Sequence, residues 1–267
     1  MTTGIISILG CGWLGKPLGN FLVKRGFTVK GSTTRKENFP HIQECGIFPY
    51  LLKLGDALEG ERIEDFFAAD VIIISIPPMM KTTPGEDFIN KIKIIRDHIV
   101  ENRISVKTIF ISSTSVYFAN RAPIEESNEF IDSDSPLYKA ELLLREINAT
   151  VLRFAGLVGP GRHPGKFLSG KRTTGADDPV NLIHLDDCIG ILSRVIEGDW
   201  WGQTYNGCAD EHPVREKFYN HACDLLGVPR PIFSGDKSSG YKIISNELVK
   251  RDLTYNFQFP DPLLMTY

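Results

Sequence analysis

Ile5-Ile6-Ser7-Ile8-Leu9-Gly10-Cys11-Gly12-Trp13-Leu14-Gly15 decides the fold. A short apolar run ends in three glycines spaced Gly-x-Gly-x-x-Gly. A helical pattern follows at once, with Leu14, Leu18, Phe21 and Leu22 on one face. Lys24, Arg25 and Gly26 read as a cationic last turn and a glycine cap. The stretch predicts strand, tight turn and helix. Pro17 fits only a first helical turn, so the helix is expected to start near Trp13 or Leu14. In such a turn Gly10 permits the reversal, Gly12 lets the backbone approach a pyrophosphate, and Gly15 lets helix and strand pack closely. Unpaired N–H groups at the helix start attract an anion. Three glycines alone are a weak signal; the strand before them and the helix after them strengthen it. A dinucleotide is expected over Gly10, Cys11, Gly12, Trp13, Leu14 and Gly15. A helix N-terminus lowers a thiol pKa, but a bound phosphate opposes this, so Cys11 reads as a packing residue.

Working outward, Phe27 to Ser32 reads as a second strand, followed by Thr33-Thr34-Arg35-Lys36. A strand of this kind usually leads to an Asp or Glu that bonds the adenosine ribose of NAD. Here Thr34 and Arg35 stand instead. Arg35 suits a 2′-phosphate bound by two parallel hydrogen bonds, with Lys36 adding charge, so NADP is favoured over NAD. The alternative is a solvated basic loop. A third strand is expected at Phe48 to Leu52 and a short helix at Ile63 to Ala69. Asp56 falls where a loop would meet the adenine. Val71 to Ile76 is a continuous β-branched run, the mark of a strand buried on both faces of a parallel sheet. Ser75 and Pro77, at its carboxyl end, are expected beside the cofactor.

Met79 to Gly85 reads as a loop and Glu86 to Glu101 as a helix, with Phe88, Ile92, Ile95 and Ile99 inward. Val106 to Ser112 is a strand, residues 119–135 are polar and turn-rich, and Pro136 opens a helix to about Ile147. Val151 to Phe154 is a further strand. This alternation predicts an α/β fold, a Rossmann-type doubly wound parallel sheet with a smaller C-terminal substrate lobe. Gly156 to Gly165 is too rich in glycine and proline for a regular element. Val180 to Leu185 reads as extended, followed by a helix to Glu197 capped by Asp186 or Asp187. Thr204 to Asn206 is a brief strand, Pro213 opens a helix to Leu226, and Asn246 caps another to Leu253. Residues 1–155 are expected to form the nucleotide-binding domain, with 181–207 returning to it. Residues 156–180 and 208–267 form the lobe.

Composition narrows the function classes. The 267 residues are 42% hydrophobic and 24% charged, with net charge −3, so no basic excess points to nucleic acid. The five cysteines are scattered without Cys-x-x-Cys spacing, which argues against a disulfide framework or a zinc ribbon and for a reducing compartment. No apolar run reaches membrane-spanning length, and a strand at Ile5 leaves no room for a signal peptide. A cytoplasmic protein with a small-molecule substrate, no membrane and no metal is expected; the oligomeric state is not legible.

Four pieces in order carry a resemblance: the glycine turn, Ile111-Ser112-Ser113-Thr114-Ser115-Val116-Tyr117, Leu152-Arg153-Phe154 leading to Gly159-Pro160-Gly161-Arg162, and Ile183-His184-Leu185-Asp186-Asp187. Together they resemble the extended and atypical short-chain dehydrogenase/reductases of the NAD-dependent epimerase/dehydratase superfamily. Leu152 to Gly165, Asn181 to Asp186 and Phe259-Pro260-Asp261-Pro262 are similar to the YeeZ-like bacterial proteins. The resemblance implies that Ser113, three residues before Val116-Tyr117, orients a substrate oxygen. The alternative is that Ser112 to Ser115 bond nearby backbone.

The family's Tyr-x-x-x-Lys pair, in which lysine lowers the phenol pKa for proton exchange, is absent. Tyr117 is followed four residues later by Arg121 and Tyr138 by Leu142. Adjacent Tyr138 and Lys139 project about 100° apart on a helix. Ser135-x-x-x-Lys139 keeps the spacing with a far weaker acid. Arg162 suits a substrate phosphate or carboxylate, against the reading of a surface-loop arginine. Asn181 is expected to face substrate, and His184 to bond a loop carbonyl. The expected function is an NAD(P)-binding oxidoreductase or epimerase-like enzyme on a small polar substrate such as a nucleotide sugar. The alternative is an NAD(P)-binding module without turnover.

Overall fold

A computed structural model describes residues 4–78, 85–126, 130–235 and 240–267. The first half of the chain carries strands β1 (Ile5–Leu9), β2 (Thr28–Thr33), β3 (Phe48–Leu54), β4 (Leu58–Gly60), β5 (Val71–Ile74), β6 (Lys107–Ser113) and β7 (Pro123–Ile124). Helices α1 (Gly15–Lys24), α2 (Phe39–Gln43), α3 (Ile63–Phe67) and α4 (Gly85–Glu101) connect them. The second half carries α5 (Pro136–Arg145), β8 (Thr150–Phe154), β9 (Gly156–Val158), α6 (Gly165–Leu168), β10 (Arg172–Thr173), β11 (Leu182–His184) and α7 (Leu185–Glu197). It ends in β12 (Thr204–Gly207), α8 (Arg215–Leu226), β13 (Ile232–Phe233), β14 (Ile243–Ile244) and α9 (Glu247–Leu253).

Eight strands form one sheet in the order β12-β8-β6-β5-β1-β2-β3-β4. β1 lies between β2 and β5, parallel to both. The chain lays β2 and β3 on one side of β1, then crosses to β5 on the other. That reversal between β1 and β5 is the switch point where open α/β sheets bind ligands, outside the strands' carboxyl ends. All four residues of β5 are buried, as the β-branched run required. Phe88, Ile92, Ile95 and Ile99 are the buried stripe of α4, which packs beside α5. The α/β, mostly parallel architecture is the one the alternation predicted.

The chain divides into two units. One comprises Met1–Ser112, Ser133–Leu152 and Val195–Thr204; the other comprises Ser113–Asp132, Arg153–Arg194 and Tyr205–Tyr267. The chain passes from one to the other inside β6, β8, α7 and β12, and between Asp132 and Ser133. The second unit has its own core of Val158, Val180, Leu182, Ala209, Phe218 and Met265.

Several local expectations change. α2 and the antiparallel β4 are additions. Gly156–Val158, inside the stretch read as irregular, pairs in parallel with β11. α7 begins at Leu185, and Asp187 does not cap it. Its carboxylate accepts the Tyr255 hydroxyl at 2.9 Å and the Gln258 and Phe259 N–H groups at 2.7 and 3.1 Å. α8 begins two residues after Pro213, because Val214 is extended and the Pro213 carbonyl is taken by Val180 N–H. Asn246 precedes α9, yet its amide donates to the Cys208 carbonyl and to Asp210 instead of capping the helix. The polar stretch 119–135 contains β7, paired with β14; residues 127–129 lie outside the described residues. So do residues 79–84 of the expected loop, and Gly85 already belongs to α4.

Candidate functional site

The glycine turn joins β1 to α1 within the first unit. Gly10 has φ +94°, and a Cβ there would stand 2.7 Å from the Ser75 carbonyl oxygen. Ser75 is fastened in turn by its N–H to the Leu9 carbonyl at 2.8 Å. A Cβ at Gly15 would meet the Gly10 carbonyl oxygen at 2.9 Å and Ile8 at 3.2 Å. Gly12 differs: a Cβ there meets nothing within 4 Å. Two glycines are therefore demanded by the protein's own packing, while the third faces open space. That is the division of labour a pyrophosphate cradle needs. α1 starts at Gly15, with Pro17 in its first turn. No side chain caps it at Leu14, and its first turn holds no acidic residue. The partial positive charge of the helix start is therefore not neutralised by an acid of its own first turn.

The other residues expected around a cofactor fall into two environments. Cys11 is buried, and burial pushes its thiol up to about 12, so it is a packing residue. Trp13 is half-buried beside it; Ser75 is half-buried and Pro77 exposed at the end of β5. Thr34 and Arg35 are exposed just beyond β2. Lys36 pairs with Glu61 at 2.9 Å, which holds the Glu61 carboxyl below its ordinary value. Lys36 is thus committed, whereas the Arg35 side chain has no partner among the described residues.

Ser113 ends β6 and opens a short 3₁₀ turn, Thr114–Val116, in the second unit. Its Oγ accepts the Ser115 N–H at 3.1 Å. That bond uses one lone pair, and the hydroxyl proton has no acceptor among the described residues. The turn is closed by a distant part of the chain. Lys242 Nζ donates to the Thr114 and Tyr117 carbonyls at 2.7 and 2.9 Å. Burial lowers the Lys242 pKa.

Behind this turn lies a buried polar network. The Tyr117 hydroxyl donates to Asn206 Oδ1 at 2.8 Å and accepts from Arg153 at 2.6 Å. The Arg153 guanidinium also stacks 4.9 Å from the Tyr117 ring centre. Glu126 accepts the Asn206 N–H at 2.7 Å, and burial pushes its carboxyl up to about 6. The Tyr117 hydroxyl is inward and doubly bonded, and its pKa is raised by burial.

On α5, adjacent Tyr138 and Lys139 have separate neighbours. The Tyr138 ring lies 5.9 Å from the Arg145 guanidinium, and exposed Lys139 stands 3.6 Å from Asp134. The buried acid on this helix is Glu141, which accepts the Ser112 hydroxyl at 2.6 Å.

The proposed substrate residues of the second unit separate. Arg162 is exposed in a turn closed by its N–H on the Gly159 carbonyl at 2.9 Å. Asn181 spends both ends of its amide on backbone: it donates to the Lys242 carbonyl at 2.8 Å and accepts the Ile244 N–H at 2.9 Å. It secures β14. His184 is buried. Its Nε2 donates to the Thr266 carbonyl at 2.8 Å, and its Nδ1 accepts the Asp186 N–H at 3.2 Å. Among the described residues no three His, Cys, Asp or Glu side chains gather around a common metal position, and no helix is long and apolar enough to cross a membrane.

Sequence reasoning missed Glu126, Glu141 and Lys242. Their partners lie 29 to 128 residues away, a separation at which no local pattern reports a contact. Ser32, whose hydroxyl accepts the Gly10 N–H at 2.9 Å, was read only as the end of a strand.

No protein-family model matches the chain. Protein YeeZ of Escherichia coli K12 is 36% identical over 270 residues, spanning 97% of this chain and 98% of YeeZ. A functionally unknown conserved protein from Silicibacter pomeroyi superposes with TM-score 0.80 at 21% identity, over 98% of this chain and 96% of that one. UDP-glucuronic acid 4-epimerase from Bacillus cereus, solved in complex with NAD, superposes with TM-score 0.78 at 16% identity, over 98% and 95% of the two chains.

Proposed function

The chain belongs to the YeeZ family, and from that premise we propose an atypical short-chain dehydrogenase/reductase, an NAD(P)-dependent oxidoreductase or epimerase-like enzyme acting on a small polar substrate of the nucleotide-sugar class. The observation that carries the reading is the contrast within the turn: Gly10 and Gly15 are closed by the protein itself, while Gly12 opens on free space. The Bacillus cereus neighbour, an epimerase of a nucleotide sugar complexed with NAD, supports both the cofactor class and the substrate class.

Gly12, Leu14 and the start of α1 would hold the pyrophosphate. Bound NAD(P) supplies a hydride donor or acceptor. Arg35, uncommitted beside the end of β2, favours NADP by pairing a 2′-phosphate. The Ser113 hydroxyl donates its proton to a substrate oxygen, and the Ser115 N–H on its Oγ sets its orientation. Arg162 is assigned the substrate's anionic group. The proton exchanged with the substrate is not carried by a Tyr-x-x-x-Lys pair, since Tyr138 and Lys139 have other neighbours. That same observation favours a second reading, a dinucleotide-binding module without turnover.

The test has two stages. Calorimetric titration with NADPH and NADH is expected to show the tighter affinity for NADPH; equal affinities remove the role given to Arg35. A screen of nucleotide sugars with saturating cofactor, read by nicotinamide absorbance and by product analysis for redox-neutral epimerisation, then seeks turnover. Ser113→Ala is expected to remove that turnover with cofactor affinity unchanged. A blank in both readouts would select the binding module.

A further inference from the structure

The first three N–H groups of the glycine turn are already bonded inside the protein. Gly10 N–H donates to Ser32 Oγ at 2.9 Å. Cys11 N–H donates to the Ser32 carbonyl, and Gly12 N–H to the Gly10 carbonyl, each at 2.9 Å. Ser32 is 4% exposed and lies in β2, parallel to β1. One residue of the neighbouring strand therefore holds two successive amides of the turn, one with its side chain and one with its backbone. Because these donors are spent, phosphate oxygens must take N–H groups further along. No side chain caps the start of α1 at Leu14.

We propose that Ser32 is the positioning residue of this turn. Its hydroxyl holds Gly10 so that the start of α1 meets the pyrophosphate without rearrangement. The inference rests on the dinucleotide reading above and deepens it. The physical reason is preorganisation. Gly10 occupies a left-handed conformation, φ +94°, with its backbone pressed against Ser75. Without the Ser32 hydroxyl the Gly10 N–H loses its acceptor among the described residues, and the turn must relax toward another donor geometry. Ligand binding then has to restore the turn, and affinity falls by that amount. Ser32 also immediately precedes Thr33, Thr34 and Arg35. The strand end that would read the adenosine ribose is thus the one that fastens the pyrophosphate turn.

Titration of Ser32→Ala and Ser32→Thr with three probes tests this: NADPH, 2′-phospho-ADP-ribose, and adenosine 2′-monophosphate competing against NADPH. Ser32→Ala is expected to weaken the two pyrophosphate ligands about five- to tenfold, the worth of one hydrogen bond. Adenosine 2′-monophosphate, which has no pyrophosphate, keeps its affinity. Ser32→Thr, which retains the hydroxyl, restores most of the loss. The ratio of affinities within Ser32→Ala is independent of the fraction folded, so a poorly folding variant still decides the matter. Equal losses for all three probes, no loss at all, or a threonine variant as weak as alanine would overturn the inference. An unaltered protein that binds none of the probes would overturn the dinucleotide reading itself.

Discussion

At the scale of single residues, the three glycines of one motif are separable by physics. Gly10 and Gly15 are fixed by folding, since a Cβ at either meets backbone at 2.7 or 2.9 Å. Gly12 meets no described residue beyond its chain neighbours within 4 Å of its Cβ position. Gly12→Val therefore leaves the melting temperature of the ligand-free protein unchanged while filling the space a pyrophosphate requires. Overpacking of that kind costs about 3 kcal/mol, roughly a hundredfold in affinity. NADPH fluorescence titration beside a thermal melt measures both quantities; binding that survives with an intact fold removes the turn as the docking site. The spacing of the glycines signalled a tight turn at Gly10 and close packing at Gly15, although the atom that closes Gly10 belongs to Ser75, far along the chain. Residue-level reading of the sequence was weak at Asn181, whose amide is used by Lys242 and Ile244, more than 60 residues on.

At the scale of elements, long periodic segments were legible and short ones were not. The stripe of α4 was read residue for residue because Phe88, Ile92, Ile95 and Ile99 repeat at helical spacing. β4 and β9 have three residues each, too few to display a period, and β9 sits in a stretch whose glycines and prolines suggested a loop. The starts of α7 and α8 shifted because Asp187 and Pro213 are engaged by distant backbone. Elements also converge on Glu126, just beyond β7, which receives the N–H of Asn206 in β12.

Burial raises that carboxyl from 4.5 to about 6, so the folded protein binds the proton more tightly than the unfolded chain. The associated stability is whole below about pH 4.5 and is lost as pH rises through 6, a change of about 1 to 2 kcal/mol. Glu126→Gln retains an oxygen for the Asn206 N–H and cannot ionise. It is expected to exceed the unaltered protein in stability at pH 7 by about that amount, with the difference vanishing at pH 4.5. Urea unfolding at the two pH values measures this; a variant equally destabilised at both would refute it.

At the scale of the whole molecule, the doubly wound sheet was legible because strand and helix patterns alternate, and residues 181–207 were expected to return to the nucleotide-binding half. The segment that joins the first unit is the shorter Val195–Thr204. Val195 is fully buried. Glu197 pairs with Arg25 at 2.6 Å, and the Trp201 ring lies 4.7 Å from the Lys107 ammonium. The Gln203 carbonyl accepts the Val151 N–H at 2.8 Å, and Gly202 N–H donates to Thr150 Oγ1 at 3.0 Å. A fragment of residues 1–155 loses all of these contacts. Deprived of its neighbour, β8 becomes a raw edge with unpaired backbone groups, which invites association with other chains. Burial of one valine alone is worth about 1.5 to 3 kcal/mol, a large share of the roughly 5 to 15 kcal/mol that holds an ordinary domain folded. The fragment is therefore expected to melt without a cooperative transition and to be cut by protease throughout, where the full chain is resistant. A cooperative melt of the fragment at the temperature of the full chain would show that Val195–Thr204 is dispensable to the unit it joins.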